Sequence, residues 1–339
     1  MDIETDVRWL VQQALTSRRH DNQVTSQLCR DILPHAHAAN SLTQHAIDRK
    51  STLSEVKALL RNLQTLDTGP NSGHAALVLH GEVGAGKTTL MAQLHRALPL
   101  WFGPSCVRVT RFCGFTSHAC SVHELLLSVC GQVGAAYGVA LPRGLGQRPV
   151  ARLAATLAKL LRRVSDVSAQ RPLYILLDSL DSLSPALHNP SWIPHPCPPH
   201  VYLVVSLRER QQQNPALYTR ACALLKSRDT FIKVSHLSSV SATKLIDNYL
   251  SSHERTLTQD QHQTLLAMSQ QASYSPLYMT LILAQAKTWD SLFKPSELQL
   301  GKTVTLALEH IFEQLGEKHG QKFVRYSLGY LTVSRGKLK

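Results

Sequence analysis

A chain of 339 residues, 43% hydrophobic and 17% charged, can bury a large core in two or three domains, and this composition excludes disordered and fibrous classes. No apolar run is long enough to span a bilayer and the opening MDIETDVRW lacks the features of a secretory signal, so a cytoplasmic protein with no membrane partner is expected. The formal charge of +13 raises nucleic acid as a partner, but the basic residues are scattered in pairs such as Arg18-Arg19 and Arg162-Arg163, with no basic run or aromatic ladder, which disfavours it.

The seven cysteines are odd in number and include no C-x-x-C pair, which reads as free, mostly buried thiols. Residues 1 to about 72 are polar and helical by pattern. Val7, Leu10, Val11 and Leu15 form one apolar stripe, and Leu53, Val56, Leu59, Leu60 and Leu63 another. His35, His37 and His45 lack acidic or cysteine partners nearby and are read as surface histidines. The cluster TGPNSG at Thr68–Gly73 is a turn into the stretch that carries the most information.

That stretch is Ala75–Leu90, AALVLHGEVGAGKTTL, which reads as strand, phosphate loop and helix. Gly81, Gly84, Gly86, Lys87 and Thr88 fill every fixed position of G-x-x-x-x-G-K-[ST]. Phosphate oxygens approach a backbone where Cβ atoms are absent, and glycine permits the dihedrals that turn several N–H groups inward. The helix beginning at Lys87 aims its unpaired N–H groups at the same place. The nucleotide-binding residues are therefore Gly81, Glu82, Val83, Gly84, Ala85, Gly86, Lys87, Thr88 and Thr89. Lys87, read as surface-directed and outside the core, reaches the β and γ phosphates, and the Thr88 hydroxyl ligates Mg²⁺.

A helix over Lys87–Leu98 is expected to stop near Pro99, followed by a strand at Val107–Phe112. Ser121 and Glu124 predict a helix start before Leu125–Val133, and Leu153, Leu157, Leu160, Leu161 and Val164 mark another amphipathic helix. Leu173–Asp178 is an apolar run of the kind buried on both faces of a parallel sheet, ending in a carboxylate. An acid at the carboxyl end of such a strand faces the ligand crevice, so Asp178 is the Walker B candidate, holding the metal together with Thr88. Val201–Ser206 is a further buried strand followed by Arg208 and Arg210, where a polar residue and an arginine can sense a γ-phosphate, and Phe231–Val234 is a fifth. Cys113, Cys120 and His123 do not have the spacing of a common metal site and lack a fourth ligand, and His195, Cys197 and His200, though close together, lie in a proline-rich stretch read as a rigid connector. From Ser238 only helical periodicities remain, at Thr243–Leu250, Gln261–Met268, Leu277–Trp289, Leu306–Leu315 and Phe323–Val333.

On these residues the chain resembles the NACHT-type NTPases of the STAND class, most of all the NACHT module of the NACHT and WD-repeat-containing proteins. The likeness rests on the phosphate loop, VTRFCGFTSHACSVHELLLSVCGQV, ILLDSLDSLS, SWIP with PPHVYLVVS, SPLYMTLIL and SLGYLTVSRGKL. It implies an α/β three-layer P-loop NTPase sandwich with a parallel five-stranded sheet, in which the Val201–Ser206 strand separates those of the phosphate loop and Asp178. After the helical segment over 1–72, read from its pattern alone, the resemblance implies the NTPase core over 73–236, a helical lid over 237–300 and the start of a winged helix over 301–339.

The same resemblance implies ATP, less readily GTP, with Mg²⁺; a sensor position at Ser206 and Arg208; and a contact of Pro276 with the base. Members are nucleotide-controlled switches that self-associate through the NTPase module. Here Asp181 is followed by Ser182 where the family has paired acids. Asp181 is thus the candidate to polarise water, Arg208 is the other catalytic candidate, and hydrolysis is expected to be slow. The chain is expected to be a fragment or a reduced family member. Two other readings stand beside the switch: a nucleic-acid-loading ATPase of AAA type, and a scaffold that binds nucleotide without turnover.

Overall fold

The computed structural model describes residues 22–44, 46–47, 49–66, 73–116, 119–183, 190–209, 219, 223, 230–292, 294 and 301–333. The stripe at Val7–Leu15, His45, Thr68, Arg210 and Cys222 lie outside the described residues. The chain divides into two compact units, one running through Val83 and then Lys87–Val234, the other comprising Gly84–Gly86 and Ser235–Lys339.

The first unit is built on a five-stranded sheet: β1 (Leu77–Gly81), β2 (Val107–Phe112), β3 (Leu173–Asp178), β4 (Val201–Arg208) and β5 (Phe231–Lys233), in the order β2-β3-β4-β1-β5. All pairings are parallel, with Leu79 opposite Ser206 and Leu176 opposite Val204. β4 therefore lies between the phosphate-loop strand and the strand ending in Asp178, as the resemblance implies. Parallel strands need crossovers that cover both faces, which is why β3 is buried along its whole length.

On one face Val78, Val109, Ile175, Leu203 and Val205 pack against α4 (Val122–Tyr137) and α5 (Val150–Ser168). On the other, Tyr174 stacks between Tyr202 and Phe102 of α3 (Lys87–Phe102). The result is the expected three-layer P-loop NTPase fold. Ser121 caps α4 by accepting from the Glu124 amide, and Gly138 ends it in the left-handed conformation at φ 65°.

α3 does not stop at Pro99 but continues to Phe102. Proline cannot donate to the carbonyl four residues back, here that of His95, and the Arg108 guanidinium donates to that oxygen instead at 2.7 Å. β4 likewise runs past Ser206 to Arg208.

Two helices precede the sheet, α1 (Asn22–Gln44) and α2 (Lys50–Thr65). α1 buries Ile32, His35, Ala36 and Ala39, so His35 is a core residue and not the surface histidine expected. Its Nδ1 accepts the Phe112 N–H of edge strand β2 at 3.2 Å. Burial, with Arg111 nearby, pushes His35 down to about 3, which keeps the ring neutral and able to accept. Arg111 is itself fully buried, donating to the Ser128 hydroxyl, the Gln132 side chain and the Thr110 carbonyl. Burial lowers it to about 10, opposed by Asp31, so it remains a cation held in polar partners.

The second unit contains α6 (Ser239–Ser252), α7 (Gln259–Gln271), α8 (Pro276–Ala286), α9 (Val304–His319) and α10 (Gln321–Val333). Ile246, Leu250, Leu265, Met279, Ile282 and Trp289 form its core, joined by Ala307 of α9. Thr258 and Gln261 make a reciprocal capping box at α7, and Pro276 occupies the first turn of α8, where its missing N–H costs nothing. α10 buries no residue, and Phe323, Tyr326 and Tyr330 are all more than half exposed. Among the described residues no helix is long and apolar enough to cross a membrane.

Candidate functional site

The predicted loop residues run from Gly81, the last of β1, to Lys87, Thr88 and Thr89 in the first turn of α3. A Cβ at Gly81 would lie 2.4 Å from the Val234 carbonyl oxygen, so only glycine fits where β1 passes the residue after β5. Gly84 and Gly86 adopt φ 78° and 89°, the left-handed region in which a loop can turn its amides to one side.

Lys87 opens α3 and is buried at 8% exposure, which corrects the reading of a surface-directed lysine. Its ammonium donates to the Gly81 carbonyl at 2.8 Å and to the Glu82 carbonyl at 2.7 Å, so the loop folds around it. Burial lowers its pKa, while Asp181 and Asp178 act in the opposite direction.

The next residue reaches across to the end of β3. The Thr88 hydroxyl donates to Asp178 Oδ2 at 2.8 Å, and Ser206 of β4 donates to Asp178 Oδ1 at 2.6 Å. Ser179 adds a bond from its own hydroxyl to Oδ2 at 3.0 Å, while its amide donates to Ser206 Oγ at 2.7 Å. Asp178 is thus a buried carboxylate at 1% exposure with donors on both oxygens. Burial pushes its pKa up, and the hydroxyls of Ser206, Thr88 and Ser179 act against that rise. Thr88, Asp178 and Ser206 come together because β1, β4 and β3 are adjacent in the sheet and end at the same level.

Asp181 lies in the single turn Leu180–Ser182 that follows β3. Its carboxylate takes Arg208 twice, from Nε at 2.7 Å and from the main-chain N–H at 3.2 Å. Glu209 completes the strand ends: its N–H donates to the Gly81 carbonyl, the oxygen that Lys87 also holds. Glu209 further pairs with His80 and Lys233. Pro276 belongs to the second unit, in which the adjacent Leu277 N–H donates to the Gly84 carbonyl at 3.3 Å.

A nucleotide with Mg²⁺ fits this donor set. The glycine loop, the Lys87 ammonium and the start of α3 suit phosphate, and a threonine hydroxyl against a carboxylate offers the hard oxygens Mg²⁺ takes. Among the described residues no group of three or more His, Cys, Asp or Glu side chains offers a rival metal site. Burial raises Cys130 and Cys197 to about 12 and Cys113 well above its ordinary value, leaving protonated thiols.

Parallel strand order, glycine loop and the Thr88–Asp178 pair define a P-loop NTPase, and the chain carries a nucleotide-binding ATPase domain. A family model described as an AAA ATPase domain matches residues 49–190. NACHT domain- and WD repeat-containing protein 1 of Mus musculus is 32% identical over 283 residues, covering 83% of this chain and 18% of that protein. Its Homo sapiens counterpart is 29% identical over 315 residues, covering 92% and 19%. Over most of its length, then, the chain is homologous to the NACHT and WD repeat-containing proteins, consistent with a NACHT-type P-loop NTPase module. It spans about a fifth of the length of these curated relatives. Among solved structures it is similar to Cdc6p from Pyrobaculum aerophilum, with a TM-score of 0.46 and 15% identity over 73% of this chain and 66% of that one.

Proposed function

We propose that the chain is a nucleotide-controlled switch that binds Mg-ATP, less readily Mg-GTP, and hydrolyses it slowly, the nucleotide state governing self-association in the cytoplasm. The observation that supports this best is the chain of bonds Thr88–Asp178–Ser206 beside the buried Lys87. It gathers a metal-binding hydroxyl and carboxylate at the mouth of a glycine loop. Mg²⁺, when bound, would screen the phosphates and polarise the phosphoryl group.

The residues divide the work by position. Gly84 and Gly86 let the phosphates approach the backbone, and Lys87, which now spends its protons on the Gly81 and Glu82 carbonyls, would exchange them for phosphate oxygens. Thr88 and Asp178 would hold the metal, and Ser206, which donates to the other carboxylate oxygen, would fix the orientation of Asp178. Ser182 stands where a second acid would polarise water, which supports slow turnover. Slow hydrolysis suits a switch, because a state must outlast its signal, and switching requires that the nucleotide bind two conformations unequally.

The domain bounds inferred from sequence, with a lid over 237–300 and the start of a winged helix over 301–339, belong to this proposal. Size-exclusion chromatography with light scattering tests the switch. The expected result is a larger assembly with a non-hydrolysable Mg-ATP analogue than with Mg-ADP. A mass independent of nucleotide would remove the switch and leave only the binding domain.

A further inference from the structure

Among the described residues the Asp181 carboxylate is spent on a single residue. One oxygen accepts from the Arg208 main-chain N–H at 3.2 Å, which fixes the acid against the end of β4, and the other takes Arg208 Nε at 2.7 Å. The side chains differ in exposure, 14% for Asp181 and 41% for Arg208, so the acid is tucked in and the guanidinium reaches outward from it. Among the described residues neither Nη group of Arg208 has a hydrogen-bond or ion-pair partner. A guanidinium held by its Nε edge keeps its two Nη groups for a second anion, in a fork whose plane the first anion has already set. Asp181 and Arg208 both act on the charge of Lys87, which puts the pair within electrostatic reach of the phosphate loop.

We infer that Asp181 is a positioning residue, which holds Arg208 so that its Nη groups meet the terminal phosphate of a nucleoside triphosphate, and that it does not itself orient the attacking water. The inference rests on the nucleotide-binding reading above and replaces the role in water activation that the sequence suggested for Asp181. Its consequence is a specificity device: Arg208 favours triphosphate over diphosphate only while Asp181 holds it.

The two roles separate in a binding experiment. Dissociation constants for Mg-ADP and for a non-hydrolysable Mg-ATP analogue are measured by calorimetry for the parent, Asp181→Asn, Arg208→Gln and the double variant. Positioning predicts unchanged Mg-ADP affinity, which also shows that the variants fold. It further predicts about a tenfold fall in triphosphate preference for each single variant, the scale of one charge-assisted bond, and a double variant no worse than Arg208→Gln. A water-orienting Asp181 would instead lower single-turnover rate while leaving the preference at the parent value, and that result, or additive losses in the double variant, overturns the inference. Should Asp181→Asn fail to fold, Arg208→Lys retains the test: it keeps the charge but cannot take Asp181 and phosphate through separate edges, so parental preference in that variant overturns it equally. Absence of binding of either nucleotide by the parent would instead defeat the nucleotide reading beneath.

Discussion

Thr88 and Asp178 stand 2.8 Å apart, hydroxyl to carboxylate, joining the first turn of α3 to the last residue of β3. Each residue alone is a common feature of α/β proteins. Bonded to each other, with Ser206 of the intervening strand on the second carboxylate oxygen, they make a corner suited to a metal at the end of the sheet.

Burial raises the folded-state pKa of the Asp178 carboxylate, against the hydroxyl bonds of Ser206, Thr88 and Ser179. An acid with a raised folded pKa holds its proton more tightly folded than unfolded, and stability rises as pH falls through that value toward the ordinary carboxylate range. Without nucleotide, Asp178→Asn should therefore melt at or above the parent temperature where the parent carboxylate is ionised, and the advantage should shrink as pH is lowered toward the ordinary carboxylate range. The same variant should lose the Mg²⁺-dependent part of ATP affinity. Melting curves across this range check the sign, and an Asn variant less stable than the parent by the same margin at every pH would contradict it.

His35 holds the Phe112 amide at the edge of the sheet. Removing the ring in His35→Ala leaves that N–H without its acceptor and opens a cavity, at a cost of about 1–3 kcal/mol for the amide alone. His35→Phe fills the space without accepting, and should lose stability on the same scale. Hydrogen exchange at the Phe112 amide checks the cause: it should accelerate in both variants, and unchanged protection would contradict the bond.

The elements with continuous patterns were readable from the sequence. Leu173–Asp178 and Val201–Ser206 are apolar throughout because both faces of a central parallel strand are covered, and the glycine loop announces its own dihedrals. The polar exceptions were less legible. Arg111 shares a face of β2 with the buried Val107 and Val109, where alternation calls for an apolar residue, yet α4 supplies it with Ser128 and Gln132 as partners. A signal for His35 did exist, since Ile32, His35, Ala36 and Ala39 follow helical spacing, but three of the four are small or polar and look like surface. Lys87 is buried by carbonyls of its own loop, which no periodicity describes. The Asp181–Arg208 pair depends on the register of β4 beside β3, so nothing local in the sequence could bring it out.

α10 buries none of its residues, and its apolar side chains Phe323, Tyr330 and Leu331 are exposed. Few buried contacts mean a low local opening free energy. Amides of Tyr326–Val333 should exchange much faster than those of Leu173–Leu177 in the sheet. Equal protection in a monomer would mean that the apolar face of α10 is covered.

Binding at the phosphate loop is the claim on which the rest stands, and thermal unfolding of the parent and Lys87→Ala with and without Mg-ATP measures it most directly. Loss of the Lys87 bonds to the Gly81 and Glu82 carbonyls should lower the ligand-free stability of the variant by about 1 kcal/mol. Nucleotide at one hundred times its dissociation constant should stabilise the parent by about 2.7 kcal/mol. For a domain of this size that is a rise of roughly 5–10 °C, and Lys87→Ala should show almost none of it. An equal Mg-ATP shift in parent and variant, or none in the parent, would contradict the assignment.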